Sequence, residues 1–297
     1  MLPNTLTRTL PRLTSARPVQ FRRQQCTFTT PAPTSKLEVE RKFPSAHLWA
    51  LSENDIDLFS KSIGSKLSER RIITDLYWDT KDDRGRLMDK GVYIRERSTT
   101  DKIPTASDYS RKIPATSGQL PTPPGETTWE IKIRQSGDYI NTSCLELTGY
   151  ENVTTLLQRY NLRIADLKHV ARITTDRKTY AVGAFRIVLD RSHLDFVYEC
   201  VDGMQSRFFK FHHVGEVELC EDVEAGKEKE VGGAMDERIR GFMRGRGVFE
   251  QGGVESKLTA YFRWDASLRK MLGEAGLLDV GDGGVWVGED GESRRGG

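Results

Sequence analysis

Leu37-Glu38-Val39-Glu40-Arg41-Lys42-Phe43 is the stretch whose reading decides the fold. Successive side chains of a β-strand point to opposite faces. Read as a strand, the stretch puts Glu38, Glu40 and Lys42 in one row and Leu37, Val39 and Phe43 on the other face. Alone, that is the pattern of a half-solvated antiparallel strand. The chain repeats it. Tyr93, Arg95 and Arg97 share one face of 92–97. Glu130, Lys132 and Arg134 oppose Trp129, Ile131 and Ile133, and Glu146 opposes Leu145 and Leu147. Arg186 and Asp190 oppose Phe185, Ile187 and Leu189, and Glu216 and Glu218 repeat the acidic pair of the first strand.

A sandwich would bury the apolar faces against each other and expose the charges. The other solution closes the sheet on itself with the charges inside and helices outside, which also removes the edges. Such a wet, charged lumen suits a polyanion with a bound divalent metal. Arg and Lys contact phosphate oxygens, and carboxylates hold Mg²⁺.

Glu38-x-Glu40-x-Lys42, Arg95-x-Arg97, Glu130-x-Lys132, Asp190, Glu216-x-Glu218 and Lys257, in that order, resemble the CYTH or triphosphate tunnel metalloenzyme superfamily. Tyr77-Trp78-Asp79-Thr80, Gly215-Glu216-Val217-Glu218 and Lys257-Leu258 with Tyr261 are similar to its thiamine triphosphatase branch. The resemblance spans roughly residues 36–272. It implies an α+β fold, mainly antiparallel: a closed eight-stranded β tunnel with a charged lumen and helices packed outside. It also implies metal-dependent hydrolysis of thiamine triphosphate to thiamine diphosphate and phosphate. The superfamily alternatives are an inorganic tripolyphosphatase, an RNA 5′-triphosphatase, an adenylate cyclase, or a non-catalytic polyphosphate- or nucleotide-binding module.

The roles follow from chemistry and resemblance together. Glu38, Glu40, Asp190, Glu216 and Glu218 are the candidate ligands of Mg²⁺, with Mn²⁺ as alternative. Carboxylates at i and i+2 on a strand point the same way, roughly 6–7 Å apart. For any one of them the competing role is an internal salt bridge. Lys42, Arg95, Arg97, Arg177 and Lys257 would grip the triphosphate, since a guanidinium fork matches two phosphate oxygens. Arg172 and Lys178 compete with Arg177, because alternation gives those two one face and Arg177 the other. The resemblance implies Lys132, with Tyr77, as activator of the attacking water; a second phosphate contact is the other role for Lys132. It places Glu146 in the tunnel wall, as a substrate or salt-bridge residue. It places Tyr93 as the aromatic that stacks on the thiazolium cation. Adjacent strand residues point apart, so His212 and His213 are assigned to structure, and Trp129 to the core.

The chain of 297 residues carries 45 Lys and Arg against 43 Asp and Glu, and this near-neutral balance does not point to nucleic acid. No apolar run approaches the roughly 20 residues of a membrane span. Cys26, Cys144, Cys200 and Cys220 lack metal-site spacing and suit a reducing compartment. The expected partner is a small triphosphate, with no membrane, no nucleic acid and a monomeric chain. Residues 1–35 hold five arginines and no Asp or Glu, the composition of a mitochondrial presequence. As a plain basic tail they would leave the protein cytoplasmic.

One domain is expected over 36–273. Helices are expected over 48–63, 152–160, around Met235, Ile239, Phe242 and Met243, and over 258–272. Strand 71–78 should end in a turn over 79–83, and 98–126, rich in Ser, Thr, Pro and Gly, reads as a long surface loop. Hairpins are expected for 171–180 with 185–190 and for 196–198 with 208–219, then a disordered tail over 274–297.

Overall fold

The computed structural model describes residues 35–49, 59–81, 87–100, 127–137, 141–246, 249, 254–278, 286–287 and 293–294. Eight strands carry it: β1 (Ser35–Phe43), β2 (Lys66–Thr80), β3 (Val92–Thr100), β4 (Thr127–Gly137), β5 (Asn141–Thr148), β6 (Leu167–Val182), β7 (Phe185–Glu199) and β8 (Gln205–Val223). They close in the order β1-β5-β4-β3-β2-β6-β7-β8, with β8 returning to β1 and every pair antiparallel. The helices are α1 (Ala46–Trp49), α2 (Tyr150–Arg159), α3 (Glu228–Met243) and α4 (Lys257–Glu274). The chain therefore forms the expected eight-stranded tunnel. Among the described residues no helix is long and apolar enough to cross a membrane.

The outer face buries the apolar rows. Leu37, Val39 and Phe43 of β1 join Ile187, Leu189, Val217 and Leu219 beneath Met235, Ile239, Phe242 and Met243 of α3. Arg41 interrupts that apolar row because Asp236 on α3 takes both its nitrogens, at 2.6 and 2.9 Å. Val153, Leu156 and Leu157 of α2 cover Ile94 and Ile131, with Trp129 and Trp78 packed beside them. Trp129 is thus a core residue. His212 and His213 point apart as expected, one toward the Glu255 carbonyl at 3.0 Å and the other toward the Trp49 ring.

Helix α4 departs from the outside placement. Leu194, Phe196 and Tyr198 share the inward face of β7 with Asp190, and they pack against Leu258, Tyr261, Leu268 and Leu272 of α4. Where the inward face of β7 turns from charged to apolar, a helix fills the lumen and closes that end. Ser256 caps α4, its hydroxyl accepting from the Thr259 backbone N–H at 3.1 Å.

Three strand boundaries correct the local reading. The 185–190 and 196–198 segments are one strand, because Arg191, Ser192 and His193 pair on both sides, with β6 and β8. Asp79 and Thr80 close β2 rather than forming a turn. They pair with Lys168 and Leu167, and the Asp79 carboxylate accepts from the backbone N–H groups of Thr80 and Leu87 at 2.7 and 2.8 Å. Residues 98–100 extend β3, and 101–126 lie outside the described residues. For 191–193 pairing on both sides overrides a polar local sequence, whereas Asp79 and Thr80 are held by β6 alone and Thr99 and Thr100 by β2 alone. Residues 46–49 and 59–63 are helical, and 50–58 lie outside the described residues. So do 1–34 and most of 279–297, where two short strands, Trp286–Val287 and Ser293–Arg294, pair with each other.

Gly215 sits mid-strand under the Phe43 ring. A Cβ there would lie 2.2 Å from the ring carbon Cζ. Phe43 is itself wedged edge-on against Phe249 at 5.0 Å between centroids, so it has little room to yield. Gly215→Ala is expected to destabilise the fold by about 1–3 kcal/mol, the usual cost of overpacking. Urea denaturation of the two proteins checks this, and equal midpoints would contradict it.

Candidate metal and triphosphate site

Three charged clusters line the tunnel. The first grows from the β1–β8 register, which sets Glu40 directly opposite Glu218. Glu38 lies two residues along on the same face. One oxygen from each of Glu38, Glu40 and Glu218 falls within 4.8 Å of the others. Cations surround the trio. Lys132 donates to Glu38 at 2.5 Å and lies 3.0 Å from Glu146 and 4.0 Å from Glu40. Lys42 pairs with Glu40 and stands 4.0 Å from Glu216. Arg186 donates to Glu218 at 2.5 Å and lies 3.7 Å from Glu38.

The second cluster centres on Asp190, which is wholly buried. Arg177 donates to both its oxygens at 2.8 and 2.7 Å, and Lys257, from the first turn of α4, donates at 2.6 Å. Arg177 also lies 3.6 Å from Glu216. The third centres on buried Asp75. Arg97 binds both its oxygens at 2.7 and 2.9 Å, Arg95 stands 3.8 Å away, and both arginines reach Glu130.

Of the five proposed metal ligands, three therefore converge. Asp190 and Glu216 lie further along the tunnel, bound to cations. Alternation left the 172–178 cations open, and here Arg177 enters the lumen while Lys178 lies outside, over the Trp49 ring at 4.3 Å. Tyr77 pairs across β2–β3 with Arg95, one row from Lys132, and packs among the α4 apolar residues. Among the described residues no hydrogen bond joins Tyr77 to Lys132. The sequence reading left Asp75 and Arg186 without roles. Asp75 lies two residues before Tyr77 on the same strand, and Arg186 shares the Asp190 face, so alternation marks both as inward.

The electrostatics separate these carboxylates. Burial pushes Glu38 up, but Lys132, Arg186 and Arg95 overcome it and hold Glu38 well below the usual range. Burial likewise opposes ionisation of Asp190, and Arg177 and Lys257 overcome it. Glu218 goes the other way: burial, then the neighbouring Glu38 charge, push it up to about 8 despite Arg186. Burial pulls Lys132 down, yet Glu38, Glu146 and Glu40 hold it well above the ordinary lysine value. In this arrangement Lys132 is an ammonium.

The CYTH domain profile matches residues 36–231, about two thirds of the chain. This chain belongs to the CYTH family. The match covers all eight strands and ends inside α3, so Lys257 reaches the tunnel from beyond it. CYTH proteins are metal-dependent, and a crowd of three carboxylate oxygens, with Glu40 and Glu218 both pushed up by burial and then by neighbouring carboxylates, fits a hard divalent cation. No curated protein matches the chain. Among solved structures, a candidate adenylate cyclase from Bacillus halodurans is 15% identical and covers 77% of this chain and 100% of its own, with a TM-score of 0.41. A candidate adenylyl cyclase from Hippeastrum, described as having a dominant triphosphatase activity, is 14% identical over 77% of this chain and 96% of its own, TM-score 0.41. The PH1819 protein of Pyrococcus horikoshii is 14% identical over 76% and 99%, TM-score 0.41. At this level the likeness carries no functional weight.

The raised Glu218 value has a testable sign. Between its ordinary value of 4.5 and about 8 the folded CYTH domain holds a proton that the unfolded chain has lost, so this group's contribution to stability falls as pH rises through that window. Glu218→Gln removes the effect. Without metal, wild type and Glu218→Gln should melt alike near about pH 5, and the variant should melt higher near about pH 8. Comparing the two proteins cancels the buried histidines, which titrate in the same range with opposite sign. A variant no more stable than wild type at the higher pH would contradict the assignment.

Proposed function

We propose that this CYTH protein hydrolyses the terminal phosphoryl group of a linear triphosphate with a divalent cation, Mg²⁺ or Mn²⁺, held by Glu38, Glu40 and Glu218. The observation that carries this is the convergence of oxygens from buried Glu38 and Glu218 and half-buried Glu40, ringed by Lys132, Lys42 and Arg186, inside the tunnel. A divalent cation bound there supplies charge neutralisation for phosphate oxygens. The chain's own groups do the rest. Arg95, Arg97, Arg177, Lys42 and Lys257 exchange their carboxylate partners for phosphate oxygens, and a fixed guanidinium stabilises charge that grows on the transferring group. Lys132, held as an ammonium, donates to a phosphoryl oxygen beside the carboxylate trio. Acting as the base instead would require it to leave Glu38, Glu146 and Glu40. Tyr77 stands behind Arg95 and limits water at the α4 end. Asp190 and Glu216 hold Arg177, Lys257 and Lys42 in place rather than joining the trio.

Thiamine triphosphate is the substrate that the sequence resemblance supports, with Tyr93 facing the lumen as the surface for its thiazolium. A second reading, inorganic tripolyphosphate, is favoured by one observation: the Arg134 guanidinium already lies over the Tyr93 ring, 5.6 Å from its centroid. The test is phosphate release by the purified full chain with Mg²⁺ or Mn²⁺ and an EDTA control, offering thiamine triphosphate, tripolyphosphate and ATP side by side. Metal-dependent release from at least one of the first two is expected. Conversion of ATP to cyclic AMP with no release elsewhere would replace hydrolysis by cyclisation.

A further inference from the structure

We infer that Arg134 is the specificity-determining residue of this tunnel and selects triphosphates whose non-reacting end is anionic, inorganic tripolyphosphate first, over those with a cationic aromatic head. This rests on the triphosphatase reading above and deepens it.

Arg134 and Tyr93 face the lumen from neighbouring strands, and Tyr93 is directly opposite Lys132 across β3–β4. The guanidinium of Arg134 lies over the Tyr93 ring and donates to the Tyr93 hydroxyl oxygen. Its backbone seats it there: the Arg134 N–H donates to the Gly91 carbonyl at 2.8 Å. Gly91 has a φ of +75°, and a Cβ on it would lie 3.1 Å from the Arg134 Cβ and 3.7 Å from Nε. The glycine therefore satisfies a left-handed backbone position and also leaves room for the arginine to cross toward the tyrosine. Met88, Leu258 and Tyr261 belong to the same apolar cluster as Tyr93, toward the end that α4 closes.

A thiazolium that stacked on Tyr93 would have the like charge of Arg134 beside it, at the hydroxyl edge of the ring. The attraction of a cation for a ring is the interaction Arg134 already makes there. An anionic end group instead meets a planar donor fork beside the Lys132 ammonium. Lys132 and Arg134 thus extend the cationic wall toward the closed end of the tunnel, and this favours a substrate charged along its whole length.

The experiment measures kcat/KM for tripolyphosphate and for thiamine triphosphate with Mg²⁺, in wild type, Arg134→Leu and Arg134→Lys. Titration calorimetry in EDTA gives the Kd of the same two compounds without turnover. Wild type should favour tripolyphosphate, and Arg134→Leu should move both ratios at least tenfold toward thiamine triphosphate. Arg134→Lys, which keeps the charge and loses the planar donor fork, should fall between. Unmoved ratios in a folded Arg134→Leu protein would overturn the inference. So would a wild type that prefers thiamine triphosphate tenfold. Absence of turnover on either compound, with the Kd ratio still shifted, would remove the hydrolytic reading and leave the Arg134 assignment supported.

Discussion

Replacing Glu40 or Glu38 by glutamine is expected to lower metal-dependent phosphate release by about a hundredfold or more, the scale on which a buried electrostatic contact to the reacting centre is felt. Glutamine keeps the length and one acceptor oxygen but removes the charge. The Glu38, Glu40 and Glu218 oxygens lie within 4.8 Å of one another, so losing one charge leaves two carboxylates among Lys132, Lys42 and Arg186. The cation would then bind more weakly against the same number of competing ammonium and guanidinium groups. Activity titrated against Mg²⁺ and Mn²⁺ reads this directly: the half-saturating metal concentration should rise together with the fall in rate. Circular dichroism controls for folding. Unchanged metal dependence in both variants would remove the trio as the metal site.

Asp190→Ala is expected to cost about 3–5 kcal/mol of stability, because it leaves buried Lys257 and half-buried Arg177 without the carboxylate that pairs them. Asp190 is fully buried, and Arg177 and Lys257 reach it at 2.7 and 2.6 Å. Those two cations hold it well below the ordinary aspartate value. Its contribution is therefore present above the unfolded value of 3.8 and is lost as pH falls below it. The variant should accordingly lose less stability on acidification than wild type. Guanidinium denaturation at neutral and acidic pH measures both effects. Because Lys257 opens α4, hydrogen exchange should also rise first in α4. In the double variant Asp190→Ala, Lys257→Met one stranded charge is gone, and part of the loss should return. A loss under about 1 kcal/mol at neutral pH would mean that solvent reaches this pair and that the end is less closed than described.

Much of the fold was legible because the informative signal is local. Glu38, Glu40 and Lys42 face the lumen, and Leu37, Val39 and Phe43 face α3, as the period of two requires. The same period placed Arg95, Arg97, Lys132, Glu146, Glu216 and Glu218 inward. The strand ends were less legible. Asp79-Thr80 has the composition of a turn, yet the Asp79 carboxylate finds two backbone donors within β2 and the next turn. Residues 191–193 look too polar for a strand, yet neighbours on both sides pair with them. Helix α4 was expected outside because its apolar stripe says that it must be buried, not against which face. Arg134 was visible as an inward charge, but the ring it would cover was not.

From the sequence alone came the identity of each face, the antiparallel tunnel, the family and the charged inventory of the lumen. The faces rest on covalent geometry, since neighbouring strand residues point apart in any context, and the tunnel and family rest on the order of motifs that resembles the CYTH superfamily. The tertiary structure decided which charges meet. Glu40 faces Glu218 only because β8 returns to β1 and closes the barrel in one register. A shift of one residue would turn every carboxylate outward. Asp190 became a salt-bridge centre rather than a converging ligand because a helix beyond the last strand delivers Lys257 to it. Convergence of this kind depends on the register between residues distant in the chain, and no local period records that.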